Sequence, residues 1–236
     1  MAPTIVVFGG SSGIGAAVVM RQAARGDNVI AVGRDPAKLE AIVSSTGGRA
    51  RAHAVDATDR AATEALFRDH GPVDHVVIAH SGGKGAGAFS SLVLDDLRSG
   101  LEAKLLSQLS VAQAALPYLR TTGSLTFVSA ISSRASIPGT AGLAAINGAI
   151  EAVVHTLARE LAPLRVNAVA PGVIDTPWWD GMPAEAKAEH FRRARETLPV
   201  GRVGTPDDVA AAIGLCLESG FMTGSVIDVA GGAQLP

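Results

Sequence analysis

The stretch Thr4-Ile5-Val6-Val7-Phe8-Gly9-Gly10-Ser11-Ser12-Gly13-Ile14-Gly15, near the start of a 236-residue chain, decides the fold. Thr4–Phe8 is β-branched and aliphatic without polar alternation, the pattern of a strand buried on both faces. It passes directly into a glycine-rich turn, after which Ile14–Arg25 reads as a helix. Glycines permit a tight turn and a close backbone approach to a ligand. The helix N-terminus adds free N–H groups and the positive end of a dipole. At the first strand–helix junction of an α/β pattern, this predicts a cradle for a dinucleotide pyrophosphate at Gly9, Ser11, Ser12, Gly13, Ile14 and Gly15. The spacing is Gly-x-x-x-Gly-x-Gly rather than Gly-x-Gly-x-x-Gly.

Outward from this turn the same alternation recurs. Further strands are read at Asn28–Val32, Arg51–Val55, His75–Ala79, Ser124–Val128, Arg165–Val169 and Ser225–Val229. Helices are read at Pro36–Ser44, Arg60–Asp69, Leu94–Leu119, Thr140–Leu161 and Pro206–Leu217. Asp35 before Pro36, and Thr205 before Pro206 with Asp208 at the third helical position, are helix start signals. The repetition predicts an α/β fold in a single domain over 1–236: a doubly wound (Rossmann) parallel seven-stranded sheet in a three-layer αβα arrangement. Two irregular intervals, Ser81–Ser91 and Pro171–Ala184, follow strands and should border a ligand crevice at the strands' carboxyl ends. The second opens a segment at about 172–200 read as a substrate lid. Its adjacent Trp178 and Trp179 cover a substrate or, alternatively, meet another subunit.

With 20 Lys+Arg against 22 Asp+Glu, 47% hydrophobic and 18% charged residues, the chain is neither a disordered segment nor a basic nucleic-acid binder. Arg192, Arg193 and Arg195 lie between Glu189 and Glu196 and read as a solvated helix face. Cys216 is the one cysteine, so no internal disulfide forms, and its apolar surroundings make it core filler. His53, His75 and His190 lack partners at metal-ligand spacing, and no metal site is expected. The start of the chain lacks a signal-peptide pattern, and no run approaches about 18 consecutive apolar residues. A cytoplasmic protein without a membrane or nucleic-acid partner is therefore expected.

The second strand ends in Gly33-Arg34-Asp35. An acid at that strand end favours NAD, whereas a nearby Arg accommodates the 2′-phosphate of NADP. Asp35 is better used as a helix cap, so Arg34 favours NADP(H) over NAD(H), the alternative being an ordinary surface cation.

With these residues in place, the chain resembles the short-chain dehydrogenase/reductase family over nearly its whole length. The glycine loop is similar to that family's TGxxxGIG, with Phe8 in place of the Thr. Val55-Asp56-Ala57 resembles its adenine-contacting aspartate segment, and Ala79-His80-Ser81-Gly82 stands where the family has Asn-Asn-Ala-Gly. The segment from Arg165 to Thr176 is very close to RVNxVxPGxxxT. Gly201-Arg202, Gly204-Thr205-Pro206, Thr223-Gly224 and Gly231-Gly232 resemble the C-terminal signature. The resemblance implies nicotinamide contacts through Pro171, Gly172, Val173, Ile174 and Thr176. It implies further cofactor contacts at Asp56, Ala57, Ala79, His80, Ser81, Gly82 and Asn147. It also implies a homodimer or homotetramer paired through the two long Ala/Leu-rich helices.

The family's usual catalytic set is Asn, Ser, Tyr and Lys. By alignment, Lys104 stands at the Asn position, Ala130 at the Ser, Leu143 at the Tyr and Asn147 at the Lys. Leu143 carries no ionisable proton. Lys and Asn have traded places, which reads as a pair kept with its members reversed if the helices face each other; drift at a dead site is the other reading. Lys104, whose pKa falls on desolvation, and His80, which titrates near neutrality, are candidate proton donors. A loop-bonded, purely structural His80 is the alternative. Ser132 is the candidate for orienting a carbonyl if the chain stays extended past Ala130, because Ser129 should point the other way. Arg134 and Asp180 are candidates for polar substrate groups, and Tyr118, the only tyrosine, falls out of register. Two readings result. One is an NADP(H)-dependent oxidoreductase that reduces a carbonyl, quinone or enone with a rebuilt acid/base apparatus. The other is a catalytically degenerate cofactor-binding regulatory or scaffold protein, or a non-redox enzyme on the same fold.

Overall fold

Alternate side chains of strand β1 (Thr4–Phe8) leave the sheet on opposite sides and enter two separate cores. Ile5 and Val7 pack with Val18, Val19 and Ile213; Val6 and Phe8 pack with Phe67, Val111 and Ile150. Burial on both faces is why this strand reads as an unbroken apolar run. The computed structural model describes residues 2–235. The other strands are β2 (Asn28–Gly33), β3 (Ala50–Ala54), β4 (Val73–Ile78), β5 (Leu119–Val128), β6 (Arg165–Pro171) and β7 (Val226–Val229). All pair in parallel, in the order β3-β2-β1-β4-β5-β6-β7, as the doubly wound reading expects. Winding reverses between β1 and β4, which opens a crevice at the strands' carboxyl ends.

Helices α1 (Gly13–Ala24), α2 (Pro36–Val43) and α8 (Pro206–Glu218) cover one face. Helices α3 (Arg60–His70), α5 (Ser107–Ala115) and α6 (Ala141–Glu160) cover the other, with α4 (Leu94–Gly100) preceding α5. The start signals operate as read. Asp35 Oδ1 accepts from the Ala37 and Lys38 amides, and Thr205 and Asp208 form a reciprocal capping box. Cys216 is buried in the α1–α8 layer. By length and composition α6 is also apolar enough to cross a membrane; here its Ile150 and Val154 pack in the core against the sheet.

Three local readings are corrected. The helix expected over Leu94–Leu119 is broken: α4 passes into a π-helical segment, Leu101–Leu106, then α5, then a 3₁₀ turn, and Leu119 already pairs with Val73 in the sheet. Pro171 closes β6 rather than opening an irregular interval. Past Trp178 and Trp179 the chain forms helix α7 (Ala184–Thr197), which the apolar pattern did not delimit, because only Phe191 and Ala194 on it are buried. Its outer face holds Arg192 and Arg193 on Glu189 and Glu196, the solvated face expected there.

Candidate active site

A cavity of about 830 Å³ runs along the carboxyl ends of the strands. At one end lies the glycine turn. A Cβ on Gly15 would stand 2.1 Å from the Gly9 carbonyl oxygen, and one on Gly9, at φ +80, would stand 2.8 Å from the His80 amide nitrogen. Only glycine fits at either position. Ser12 enters α1 in extended conformation without a side-chain cap, and the first helical bond runs from the Ala16 amide to the Ser12 carbonyl. The amides of Gly13, Ile14 and Gly15 therefore have no acceptor within the helix, and these three residues line the cavity. Ser11, the exposed Arg34, Asp56, Ala57, Ala79, Ser81 and Gly82 line the same end. Asp56 accepts from the Thr58 amide at 2.9 Å and the Thr58 hydroxyl at 2.8 Å, and these bonds hold its carboxyl below the usual range.

At the far end Pro171, Gly172, Val173, Ile174 and Thr176 form one wall. Trp179 is pinned to it by an indole N–H bond of 2.8 Å to the Ile174 carbonyl. Trp178 meets Trp179 edge-on at 4.6 Å, and His190 from α7 lies tilted against Trp179 at 4.6 Å. All three line the cavity, although Trp178 remains 44% exposed. Burial holds the His190 imidazole below its ordinary pKa, and its Nε2 is buried without a hydrogen-bond partner among the described residues.

Between the two ends lies a chain of polar contacts. Lys104, in the π-helical segment and only 7% exposed, donates from Nζ to Asn147 Oδ1 at 2.7 Å and to the Ser129 carbonyl at 3.0 Å. Asn147 Nδ2 donates to Ser132 Oγ at 3.1 Å and to the Leu143 carbonyl at 2.9 Å. An ammonium only donates, so the amide oxygen must face Lys104 and the amide nitrogen must face Ser132. Ser132 Oγ is therefore an acceptor from the protein. Its own proton, with no acceptor among the described residues, is left for a ligand. Burial pulls Lys104 down to about 8, against the pull of the Glu151 carboxylate in the other direction. Ala130 and Leu143 also line the cavity and present no polar side-chain atom.

The two residues suggested as an exchanged pair are thus in direct contact. Ser132 reaches Asn147 from a 3₁₀ turn, Ile131–Ser133, and not from an extension of β5; the strand ends and the chain folds back toward α6. The Ser129 hydroxyl donates to Glu151, one turn beyond Asn147 on α6, at 2.8 Å. His80 Nε2 bonds to Ser107 Oγ at 2.9 Å, and burial together with Lys104 lowers its pKa to about 4, which favours the loop-bonded alternative over a proton donor. Arg134 is held by Asp228 and Glu151, and Asp180 by Lys187; neither lines the large cavity. Tyr118 packs against Phe67 away from it. Among the described residues no three His, Cys, Asp or Glu side chains converge as metal ligands. Sequence reading missed the buried Glu151, which accepts from Ser129 and Ser133 at 2.8 Å each. Its signal was a lone acid one turn from Asn147 in an otherwise apolar helical stretch.

A family model described as Enoyl-(Acyl carrier protein) reductase matches residues 9–234. The chain is 34% identical over 239 residues to the 3-oxoacyl-[acyl-carrier-protein] reductase of Rattus norvegicus, with 97% of each chain covered. It is 30% identical over 240 residues to the 3-oxoacyl-[acyl-carrier-protein] reductase FabG of Thermotoga maritima, with 96% of each covered. Among solved structures, a small-chain dehydrogenase in complex with NADPH covers 100% of both chains at 31% identity and a TM-score of 0.84. A short-chain dehydrogenase/reductase described as a glucose/ribitol dehydrogenase, from Brucella melitensis, does so at 27% identity and a TM-score of 0.89. Sheet order, glycine turn and full-length similarity agree, and the chain belongs to the short-chain dehydrogenase/reductase family.

Proposed function

We propose that the protein is an NADP(H)-dependent oxidoreductase that reduces a carbonyl, quinone or enone with a proton source other than a tyrosine. One observation carries this reading: a single cavity joins the glycine turn to the Lys104–Asn147–Ser132 chain. The reductase names of the relatives and the NADPH held by one structural neighbour support it.

The residues present fit the cofactor. The positions where a Cβ would collide lie beside free helix-terminal amides, an arrangement suited to a pyrophosphate held by Gly9, Ser11, Ser12, Gly13, Ile14 and Gly15. Arg34, in no ion pair among the described residues, would hold the 2′-phosphate and favour NADP(H) over NAD(H). Asp56 and Ala57 would border the adenine. Ala79, His80, Ser81, Gly82, Asn147, Pro171, Gly172, Val173, Ile174 and Thr176 would border the nicotinamide and its ribose. When bound, the cofactor supplies a hydride.

The chain's own residues supply the rest. The family's serine, tyrosine and lysine positions hold Ala130, Leu143 and Asn147, so the Ser132 hydroxyl takes over orientation of the substrate oxygen. Lys104 is the proton donor. It can release its third N–H proton and, as a neutral amine, still donate to Asn147 and Ser129. A donor near pH 8 is matched to that task at physiological pH. The segment at about 172–200 acts as a lid, with Trp178, Trp179 and His190 excluding water. Exposed Val93, Leu94 and Leu106 support pairing as a homodimer or homotetramer.

A catalytically degenerate, cofactor-binding regulatory or scaffold protein is the second reading, favoured by the apolar Ala130 and Leu143 on the cavity wall. Single-turnover mixing with NADPH and a panel of quinones, enones and ketones separates the two. Oxidation of NADPH by at least one acceptor is expected. Tight NADPH binding with no oxidation across the panel would favour the second.

A further inference from the structure

We propose that Glu151 is the positioning residue of this site: it clamps both ends of the Ser129–Ser133 segment, on which the bonds of Lys104 and Asn147 both depend. The proposal rests on the reading of Lys104 as proton donor.

Glu151 lies on α6 one turn beyond Asn147 and is 7% exposed. A single oxygen, Oε1, accepts from Ser129 Oγ and from Ser133 Oγ, each at 2.8 Å. Each hydroxyl has a backbone alternative, the Val169 carbonyl at 3.4 Å for Ser129 and the Ala130 carbonyl at 3.1 Å for Ser133. A hydroxyl has one proton, and the shorter, charge-assisted bond takes it. The clamped segment carries both groups on which the polar chain depends. Ser129 offers its carbonyl to Lys104, and Ser132 receives the Asn147 amide.

A charge argument supports the clamp from the same geometry, because Ser129 bonds Glu151 through its hydroxyl and Lys104 through its carbonyl. The ionisable groups facing Lys104 are Glu151 from α6 and the neutral His80 from the loop after β4. Those facing Glu151 are Lys104 and Arg134, whose guanidinium is shared with Asp228 of β7. Desolvation disfavours the ammonium, and attraction to the carboxylate opposes desolvation. Without the carboxylate, desolvation acts alone and Lys104 loses its proton at lower pH.

The test uses the full chain labelled with 13C at lysine Cε, with the Lys104 resonance identified by its loss in K104M. In wild type this resonance should titrate near pH 8. In E151Q it should titrate lower by about half a pH unit or more, with the alkaline limb of kcat moving equally and NADPH affinity unchanged. An unchanged Lys104 titration in E151Q overturns the charge role. S129A and S133A remove the clamp and keep the charge, so they test the other half even if E151Q fails to fold. Both should lower kcat several-fold with Lys104 titrating as in wild type, and unchanged kcat in both overturns the clamp. Full turnover by K104M would instead overturn Lys104 as donor, an outcome distinct from the titration result on Glu151.

Discussion

Lys104 in the π-helical segment and Asn147 on α6 meet side chain to side chain, the ammonium donating to the amide oxygen at 2.7 Å. The contact sets the direction of the bonds beyond it, because a group that can only donate orients the amide and the amide then orients the Ser132 hydroxyl. Long-range pairing of this kind joins two helices that the sequence separates by 43 positions.

Lys104→Met should lower kcat by about 10²-fold or more, the usual contribution of a positioned acid, while the dissociation constant for NADPH stays the same. Steady-state kinetics beside fluorescence titration measures both. In a double-mutant cycle, Lys104→Asn combined with Asn147→Lys should recover part of the loss, with a coupling energy of about 1 kcal/mol or more. Strictly additive effects would show that the two do not work as a pair.

Ser132→Ala removes the free hydroxyl proton and one acceptor of Asn147 Nδ2. Turnover should fall by about 10²-fold, as for loss of one preorganised donor, and denaturant stability by only about 1 kcal/mol. A large stability loss with kcat preserved would make Ser132 a packing residue.

Arg34→Ala should weaken NADPH binding by about ten- to a hundredfold, the range for hydrogen bonds to a charged group, and leave NADH binding nearly unaltered. Calorimetric titration of the two cofactors decides this. Equal losses for both would remove Arg34 from any contact with the 2′-phosphate.

His75 and His80 are both pulled from 6.5 to about 4, in each case chiefly by burial. The unfolded chain therefore takes up protons before the folded one. Their contribution to stability is complete above pH 6.5 and is lost as pH falls through 4. The loss is at most about 3 kcal/mol per histidine. Urea midpoints recorded across this window should decline with acidity, and His75→Asn should flatten the decline. A flat wild-type profile would contradict the burial of both rings.

Trp179→Phe keeps an aromatic ring and deletes the indole bond to the Ile174 carbonyl. If the proposed lid encloses the substrate, KM for the accepted carbonyl, quinone or enone should rise several-fold while Tm changes little. An unchanged KM would separate the tryptophan pair from substrate enclosure.

Much of the fold was legible because the constraints were local. A strand buried on both faces has no place for polar alternation, so Thr4–Phe8 and Arg165–Val169 announce themselves. The turn at Gly9 and Gly15 is legible for a similar reason: the backbone leaves no space for a Cβ, and the residue type records it. Lys104 and Asn147 were visible as positions, though only as a conditional pair. Helix α7 was not delimited, because Phe191 and Ala194 alone do not make an apolar stripe.

Chain pattern thus determined the winding of the sheet, the glycine cradle and the identity of the residues around the crevice. Tertiary structure alone decided that Ser132 approaches from a 3₁₀ turn, that the His80 ring is buried against Ser107, that Arg134 is already paired, and that Glu151 lies beneath the site. The reason is physical. Periodicity and residue type report constraints on a few consecutive residues. A side chain's protonation and the direction of its hydrogen bonds depend on desolvation and on neighbours brought from remote parts of the chain.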